Sequence, residues 1–396
     1  MAIKILTFSS LYPNSANPSF GIFVENRLRE LLKTTDTDAV VVAPVPYFFN
    51  LAYTENRNLE REEARHGIRV LHPRFLNIPK IGMNIAPLLM AVSVLPTILK
   101  LRKNGYRFDA IDAHYFYPDG VAAALLSKWL KIPLVITARG TDLNLIADYR
   151  IPKKWIKWAA NKASHLITVS TALKNRLLAL GVPSEKISVL RNGVDLELFR
   201  PPEDKNVLRA KFDIKGKTLI SVGNLVTLKG HDLIIEAIKD SPDFSLLIVG
   251  GGPEESKLKL LVEKYQMQNR VRFIERQTQT DLKDWYGAAD ILVLASSREG
   301  WPNVILEALA CGTPVVATAV GGSPEIIGGT EIGILCKREV GALRDAIIEM
   351  DETECLSKHC RAHAMQHGWE STSKGQRKIF ESTILCKLDM TKPKLE

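Results

Sequence analysis

Ser297-Arg298-Glu299-Gly300-Trp301-Pro302-Asn303-Val304-Ile305-Leu306-Glu307-Ala308-Leu309-Ala310-Cys311-Gly312-Thr313-Pro314-Val315-Val316 reads as a loop, a helix and the entry to a strand. Apolar Ile291 to Leu294 predicts a strand ahead of it and Val315 to Thr318 another behind, with Thr313-Pro314 as the punctuation. Pro302 suits a first helical position, which leaves the N–H groups of Asn303 and its neighbours at a helix start that attracts phosphate. Glu299 falls in the loop just before those donors, and Glu307 shares a helical face with Asn303. A carboxylate among phosphate donors would repel a diphosphate, so its work is to accept hydrogen bonds from hydroxyls. A sugar nucleotide offers hydroxyls at both ends and phosphates between them. Either glutamate alone could equally complement the helix dipole.

Two glutamates with seven residues between them, then Ala308 to Thr318 and Val320-Gly321-Gly322-Ser323-Pro324-Glu325, closely resemble the group 1 (GT4) retaining glycosyltransferases of the GT-B fold. The resemblance implies an α/β chain of two Rossmann-like domains facing across a cleft. It places Glu299 by the donor sugar and Glu307 on the nucleotide ribose, and it extends donor binding to Gly300, Trp301, Pro302 and Asn303.

The 396 residues exceed what one core usually supports, so two domains are expected. These are 1–195, on the acceptor side, and 202–368, on the nucleotide-sugar side, with Pro201-Pro202 near the hinge. A C-terminal helix, about 371–396, is expected to pack back on the first domain, its end from Lys387 onward being disordered. Five cysteines without metal-like spacing, and no secretory pattern at the start, point to the cytoplasm.

Charge divides unevenly, +11 over residues 1–200 and −2 over the remainder. The chain has no zinc finger, RNA-recognition signature or basic helix with a heptad, so nucleic acid is not expected as a partner. An anionic membrane surface is the better expectation, which makes the protein cytoplasmic and peripheral on the inner face of the membrane. Met83 to Leu99 carries no charge and is just long enough to weigh as a span, but Pro87 and Pro96 interrupt it, favouring a helix packed on the sheet or partly exposed to lipid. Tyr149 to Trp158 mixes bases with tryptophans, as an interfacial segment or a surface helix with inward tryptophans would.

In chain order, Ile3 to Phe8 is a strand, and the loop Tyr12 to Phe20 leads through Gly21 into a helix with Phe23, Leu28, Leu31 and Leu32 on its apolar side. Val40 to Ala43 is a second strand, and Arg57 to Arg69 reads as charged and solvated. Ala110 to His114 is a strand whose last residue stands at the edge where parallel sheets place ligands. His114 is therefore either a site residue, near the donor sugar by the resemblance, or a structural hydrogen-bonder. Relatives place His-Gly-x-Asp where this chain has Arg139-Gly140-Thr141-Asp142. A permanent cation at 139 excludes general-base chemistry there and suits an anionic donor or acidic acceptor, or a salt bridge to Asp142.

Gly223 to Gly230 follows strand Thr218 to Val222. The resemblance puts diphosphate-holding Arg and Lys at the positions of Asn224 and Lys229, so the lysine is kept and the arginine is not. Arg139 or Arg298 could compensate. Gly250-Gly251-Gly252 can admit a nucleotide, with Gly251 counted among the donor-binding positions, and Glu275 and Arg276 could touch the base edge.

The resemblance implies transfer of a sugar from an NDP-sugar to a hydroxyl of a saccharide or lipid-linked acceptor, with retention. The setting it suggests is bacterial surface polysaccharide or glycolipid synthesis. Glu299, His114 and Lys229 would carry the catalysis; Gly21, Arg139 and Asp142 would assist the donor. No Asp-x-Asp motif stands at a strand end, so neither a divalent metal nor a cofactor is expected, with the NDP-sugar as co-substrate. A nucleotide-sugar epimerase, or a non-catalytic nucleotide-sugar-binding partner of a transferase, is the alternative.

Overall fold

The computed structural model describes residues 2–47, 59–78, 82–353 and 355–391, and the side chains of these up to residue 387. Two compact units divide it, 1–192 with 369–396, and 193–368. The chain therefore crosses at Asn192/Gly193 and Gly368/Trp369. Pro201-Pro202 is not at a crossing: Pro202 packs beside Gly287 and Pro201 beside Gly312, both inside the second unit.

The first unit contains β1 (Ile3–Phe8), α1 (Ile22–Thr34), β2 (Thr37–Val42), β3 (Val45–Tyr47), β4 (Glu62–Arg65), β5 (Ile68–Leu71), β6 (Arg74–Leu76) and α2 (Gly82–Lys103). It continues with β7 (Ala110–His114), α3 (Val121–Leu130), β8 (Leu134–Ala138), α4 (Thr141–Asn144), α5 (Arg150–Lys162), β9 (His165–Thr168), α6 (Thr171–Ala179) and β10 (Ile187–Val189). Eight strands form one sheet in the order β10-β9-β8-β7-β1-β2-β5-β4, parallel except for the β4–β5 hairpin. The stretch Arg57 to Arg69, expected to be charged and solvated, supplies this edge hairpin: its described charged residues are exposed or half-buried, while Ile68 turns inward. Residues 57 and 58 lie outside the described residues.

Apolar runs in the central strands match a sheet covered on both faces, where alternation is not needed. Helix α1 buries Val24, Leu28 and Leu31 as its periodicity requires, yet also Glu25 and Arg27. Each is paired: Arg65 Nε lies 2.7 Å from Glu25, and Arg27 donates to Gln376, Leu190 O and Asn192. Buried charges persist only with such partners.

The second unit runs α7 (Lys205–Lys211), β11 (Lys217–Val222), α8 (His231–Ile238), β12 (Phe244–Val249), α9 (Glu255–Lys264), β13 (Val271–Ile274), α10 (Gln279–Ala288) and β14 (Ile291–Leu294). Then follow α11 (Asn303–Ala310), β15 (Val315–Thr318), α12 (Ser323–Ile326), β16 (Gly333–Cys336), α13 (Val340–Glu352) and α14 (Ser357–Met365). Its parallel sheet has the order β13-β12-β11-β14-β15-β16. The direction of winding reverses between β11 and β14, the place where such sheets open a crevice at the carboxyl ends of their strands.

The last helix, α15 (Trp369–Thr391), belongs to the first unit. It begins two residues earlier than expected and runs through Lys387, where disorder was expected; residues 392–396 lie outside the described residues. Gln376 ties it in by donating to Asp112 Oδ2 at 2.9 Å and accepting from Arg27 Nε at 2.7 Å.

Candidate active site

Six loops of the second unit leave the carboxyl edge of its parallel sheet, one after each strand, and glycines let several of them close on one another. A Cβ on Gly250 would lie 1.9 Å from Gly223 O, and one on Gly321, at φ 55°, would lie 2.1 Å from Glu299 O. Real side chains cannot enter such gaps. Gly251 differs, with open space where its Cβ would be.

Lys229 and Glu299, read separately from the sequence, meet here. Lys229 Nζ donates to Glu299 Oε1 at 2.5 Å, and Ser296 Oγ donates to the same oxygen at 2.7 Å. The pair bridges the ends of β11 and β14, across the point where the winding reverses. The backbone brings the loops together: Ser297 N donates to Leu228 O at 2.8 Å, and Gly230 closes on Ala295.

Arg276, expected near the base edge, ends on a side-chain partner. Its guanidinium donates to Asn224 Oδ1 at 2.9 Å. Since β12 lies between β13 and β11, this contact passes over the Gly250 to Gly252 loop, which has no side chain to block it. Arg276 thus brings a cation to the Asn224 position, where the resemblance expects an arginine. Of the two other cations the sequence offered, Arg139 lies in the first unit and is engaged in a buried network, and Arg298 lies in the loop before α11, its buried Nε without a hydrogen-bond partner among the described residues.

Glu299, Gly300 and Trp301 form the loop before α11. Pro302 is the residue that caps the helix, one position earlier than expected, and Asn303 opens it. Among the described residues no side chain caps this start, so its N–H groups remain suited to an anion. Glu307, one turn on, is buried and accepts from Tyr286 Oη at 3.0 Å and Gln279 Nε2 at 3.2 Å. Burial pushes its carboxyl up from 4.5 to about 7, against the two hydrogen bonds.

That shift has a sign. Between pH 4.5 and 7 the unfolded chain has released this proton while the native chain keeps it, so the contribution of Glu307 to stability falls as pH rises through that window. Urea unfolding of Glu307→Gln, which cannot ionise, should therefore gain on the unmodified protein between pH 5 and 8. Parallel pH profiles for the two proteins would refute the shift.

In the first unit the picture differs from the expectation. His114 is buried, Nε2 bonded to Asp112 Oδ2 at 3.0 Å and Nδ1 accepting from Arg139 at 2.5 Å. Burial lowers its pKa to about 4, with the neighbouring arginines opposing the Asp112 carboxylate. Both ring nitrogens are thus engaged within the protein, as in the structural hydrogen-bonder that is one of the two readings of the sequence. Arg139 does not pair with the carboxylate of Asp142 through its side chain; it donates to His114 and to Asn192 at 3.1 Å, over the ring of Phe23. Asp142 accepts from the backbone N–H groups of Phe116, Arg139, Gly140 and Leu143. These four backbone donors make it the knot of the loop. Gly21 takes φ 68° because a Cβ would lie 2.4 Å from Leu11 O, a packing reason for glycine.

The sequence pattern does not single out Asp119. It is buried, bonded to Ser10 N and Ser10 Oγ, and burial raises its pKa to about 7. Ser10 is 109 residues away, so no local pattern reveals the pairing. His231 was likewise missed: buried, held by Ser221 Oγ at 3.0 Å and lowered to about 4.

A helix start without a side-chain cap, two engaged cations and a carboxylate thus gather at the strand ends beside the switch point of a two-unit α/β protein. The sequence comparisons agree. Residues 204–367 match the model of the glycosyl transferases group 1, and residues 51–198 that of Glycosyltransferase Family 4. The glycosyltransferase TuaC of Bacillus subtilis, named for teichuronic acid biosynthesis, is 31% identical over 89% of this chain and 90% of its own. Among solved structures, sucrose-phosphate synthase from Thermosynechococcus elongatus superposes with a TM-score of 0.79 at 19% identity, covering 98% of this chain and 100% of that one. HepE of Anabaena, in complex with UDP-glucose, gives 0.72 at 22% identity, with 96% and 100% covered. This chain belongs to the group 1 glycosyltransferases, with the GT-B fold.

Proposed function

We propose that this glycosyltransferase moves a sugar from an NDP-sugar to a hydroxyl of a saccharide or lipid-linked acceptor, with retention at the anomeric carbon. The setting is bacterial surface polysaccharide or glycolipid assembly, at the cytoplasmic face of an anionic membrane. The observation that carries the reading is the Lys229–Glu299 pair across the β11/β14 switch point, with Arg276 anchored on Asn224 one loop away. Supporting it, the HepE structure is a complex with UDP-glucose and TuaC is named for teichuronic acid biosynthesis.

In this reading Lys229, Arg276 and the start of α11 meet the diphosphate, in place of a divalent ion. A leaving group that gains charge is stabilised most by donors already in position. Glu299 is displaced from Lys229 by the diphosphate and accepts hydrogen bonds from the sugar, and Glu307 takes the ribose. The departing phosphate oxygen removes the acceptor's proton, which fits the neutral, enclosed His114.

The test is calorimetric binding of UDP, GDP, ADP and their common sugar conjugates, beside Glu307→Ala, followed by transfer assays with candidate acceptors. One nucleotide diphosphate is expected to bind, and the substitution to abolish it. Failure of every nucleotide to bind would defeat the reading.

A further inference from the structure

Away from the strand ends described above, the first unit has a cavity of about 440 Å³ between the β4–β5 hairpin and α2. Arg61, Arg69, Arg74 and Lys100 line it, against the single carboxylate of Glu62. Glu62 is already engaged by Arg69, at 2.7 and 3.0 Å in a two-pronged pair. The side chains of Arg61 and Lys100 make no hydrogen bond or ion pair among the described residues. The walls thus hold more positive charge than their own acid neutralises, in a space the size of a small-ligand site.

Pro96 lines the same cavity from α2. It also lies on a second feature of that helix. Leu88, Val92 and Leu99 recur at spacings of four and seven, which places them along one side, and they are 42%, 56% and 48% exposed. Opposite them, Met90, Val94 and Ile98 are buried, and α2 packs on β6 and α3. By length and composition α2 could cross a membrane, but its inner face belongs to the core of the unit. The outer face is therefore an apolar ridge that ends beside a cationic cavity, with Lys100, Arg102 and Lys103 in its final turn.

An apolar ridge next to a cation-lined hollow is complementary to an amphiphile with an anionic head. Acyl chains accept the ridge at the level of the headgroups, and the phosphate is met by arginine and lysine. We propose that α2 lies in the surface of an anionic bilayer and that the cavity holds the phosphate of one lipid headgroup. The inference rests on the membrane part of the reading above and gives it a place.

Flotation of the full chain with vesicles tests it, using phosphatidylglycerol mixed with phosphatidylcholine against phosphatidylcholine alone. The protein is expected to float with the anionic vesicles only. Arg61→Ala/Lys100→Ala should weaken this by about tenfold or more, as should Leu88→Ser/Val92→Ser. Lys257→Ala/Lys259→Ala, the same charge change on exposed α9, should leave it unaltered. Thermal unfolding of each variant verifies that it is folded.

If the cavity variant floats as the unmodified protein does while the ridge variant fails, the phosphate site is overturned and the membrane reading stands. If neither variant matters, or the α9 control falls equally, both are overturned. Inorganic phosphate, titrated at constant ionic strength, separates the sources. Strong binding of free phosphate in the cavity, with no vesicle binding, would replace the lipid by a soluble ligand.

Discussion

Lys229→Ala is expected to slow sugar transfer by about 100- to 1,000-fold, the usual cost of removing one positioned donor to a developing anion. The lysine follows β11 and sits 2.5 Å from Glu299 Oε1, its side chain largely enclosed. Few waters can replace it there, so the loss is not repaired by solvent. The same variant leaves Glu299 without its ammonium partner beside an incoming diphosphate, adding repulsion to the lost attraction. Steady-state kinetics at saturating donor would show the fall in kcat. Turnover within about threefold of the unmodified enzyme would remove Lys229 from the chemistry.

Arg276→Ala is expected to weaken nucleotide diphosphate binding by about 10- to 100-fold, the span of a charged hydrogen bond, with little change for the nucleoside. The residue reaches over the glycine loop after β12 to Asn224, so its charge lies above the strand ends. Adding Asn224→Arg to Arg276→Ala should recover most of the loss, because a guanidinium rooted after β11 can reach the same region. A guanidinium suits phosphate by its forked geometry, which asparagine lacks. Equal losses for nucleoside and diphosphate, without recovery, would place Arg276 on the base and sink the compensation.

Acid stability offers a check on both units. His114 and His231 are each lowered to about 4 by burial. Below the ordinary histidine value near 6.5 the unfolded chain takes up protons that the native chain refuses, so stability is lost as pH falls from about 6.5 to 4. Glu307 acts in the opposite direction over 4.5 to 7. His231→Gln should therefore flatten the acid limb of the second unit, and an unchanged limb in urea unfolding would refute the shift.

What could be read along the chain was whatever a short window contains. The helix at Asn303, the strands around it, the proline at its start and the glutamate in the preceding loop are each set by spacing and backbone chemistry within a few residues. The family resemblance works at the same range, which is why Glu299, Lys229 and Glu307 were named from the sequence. Folding then decided what each of them faces. Arg276 and Asn224 are 52 residues apart, Lys229 and Glu299 are 70 apart, and Gln376 and Asp112 are 264 apart. Such pairs depend on strand order and loop closure, for which a linear pattern has no term. His114 ends a strand at the sheet edge, which left a site residue and a structural hydrogen-bonder both open, and only the fold shows the guanidinium of Arg139 and the carboxylate of Asp112 enclosing it. Its burial, and with it the direction of its pKa, comes from packing across the sheet, where the desolvation of a charge is settled by every neighbour at once.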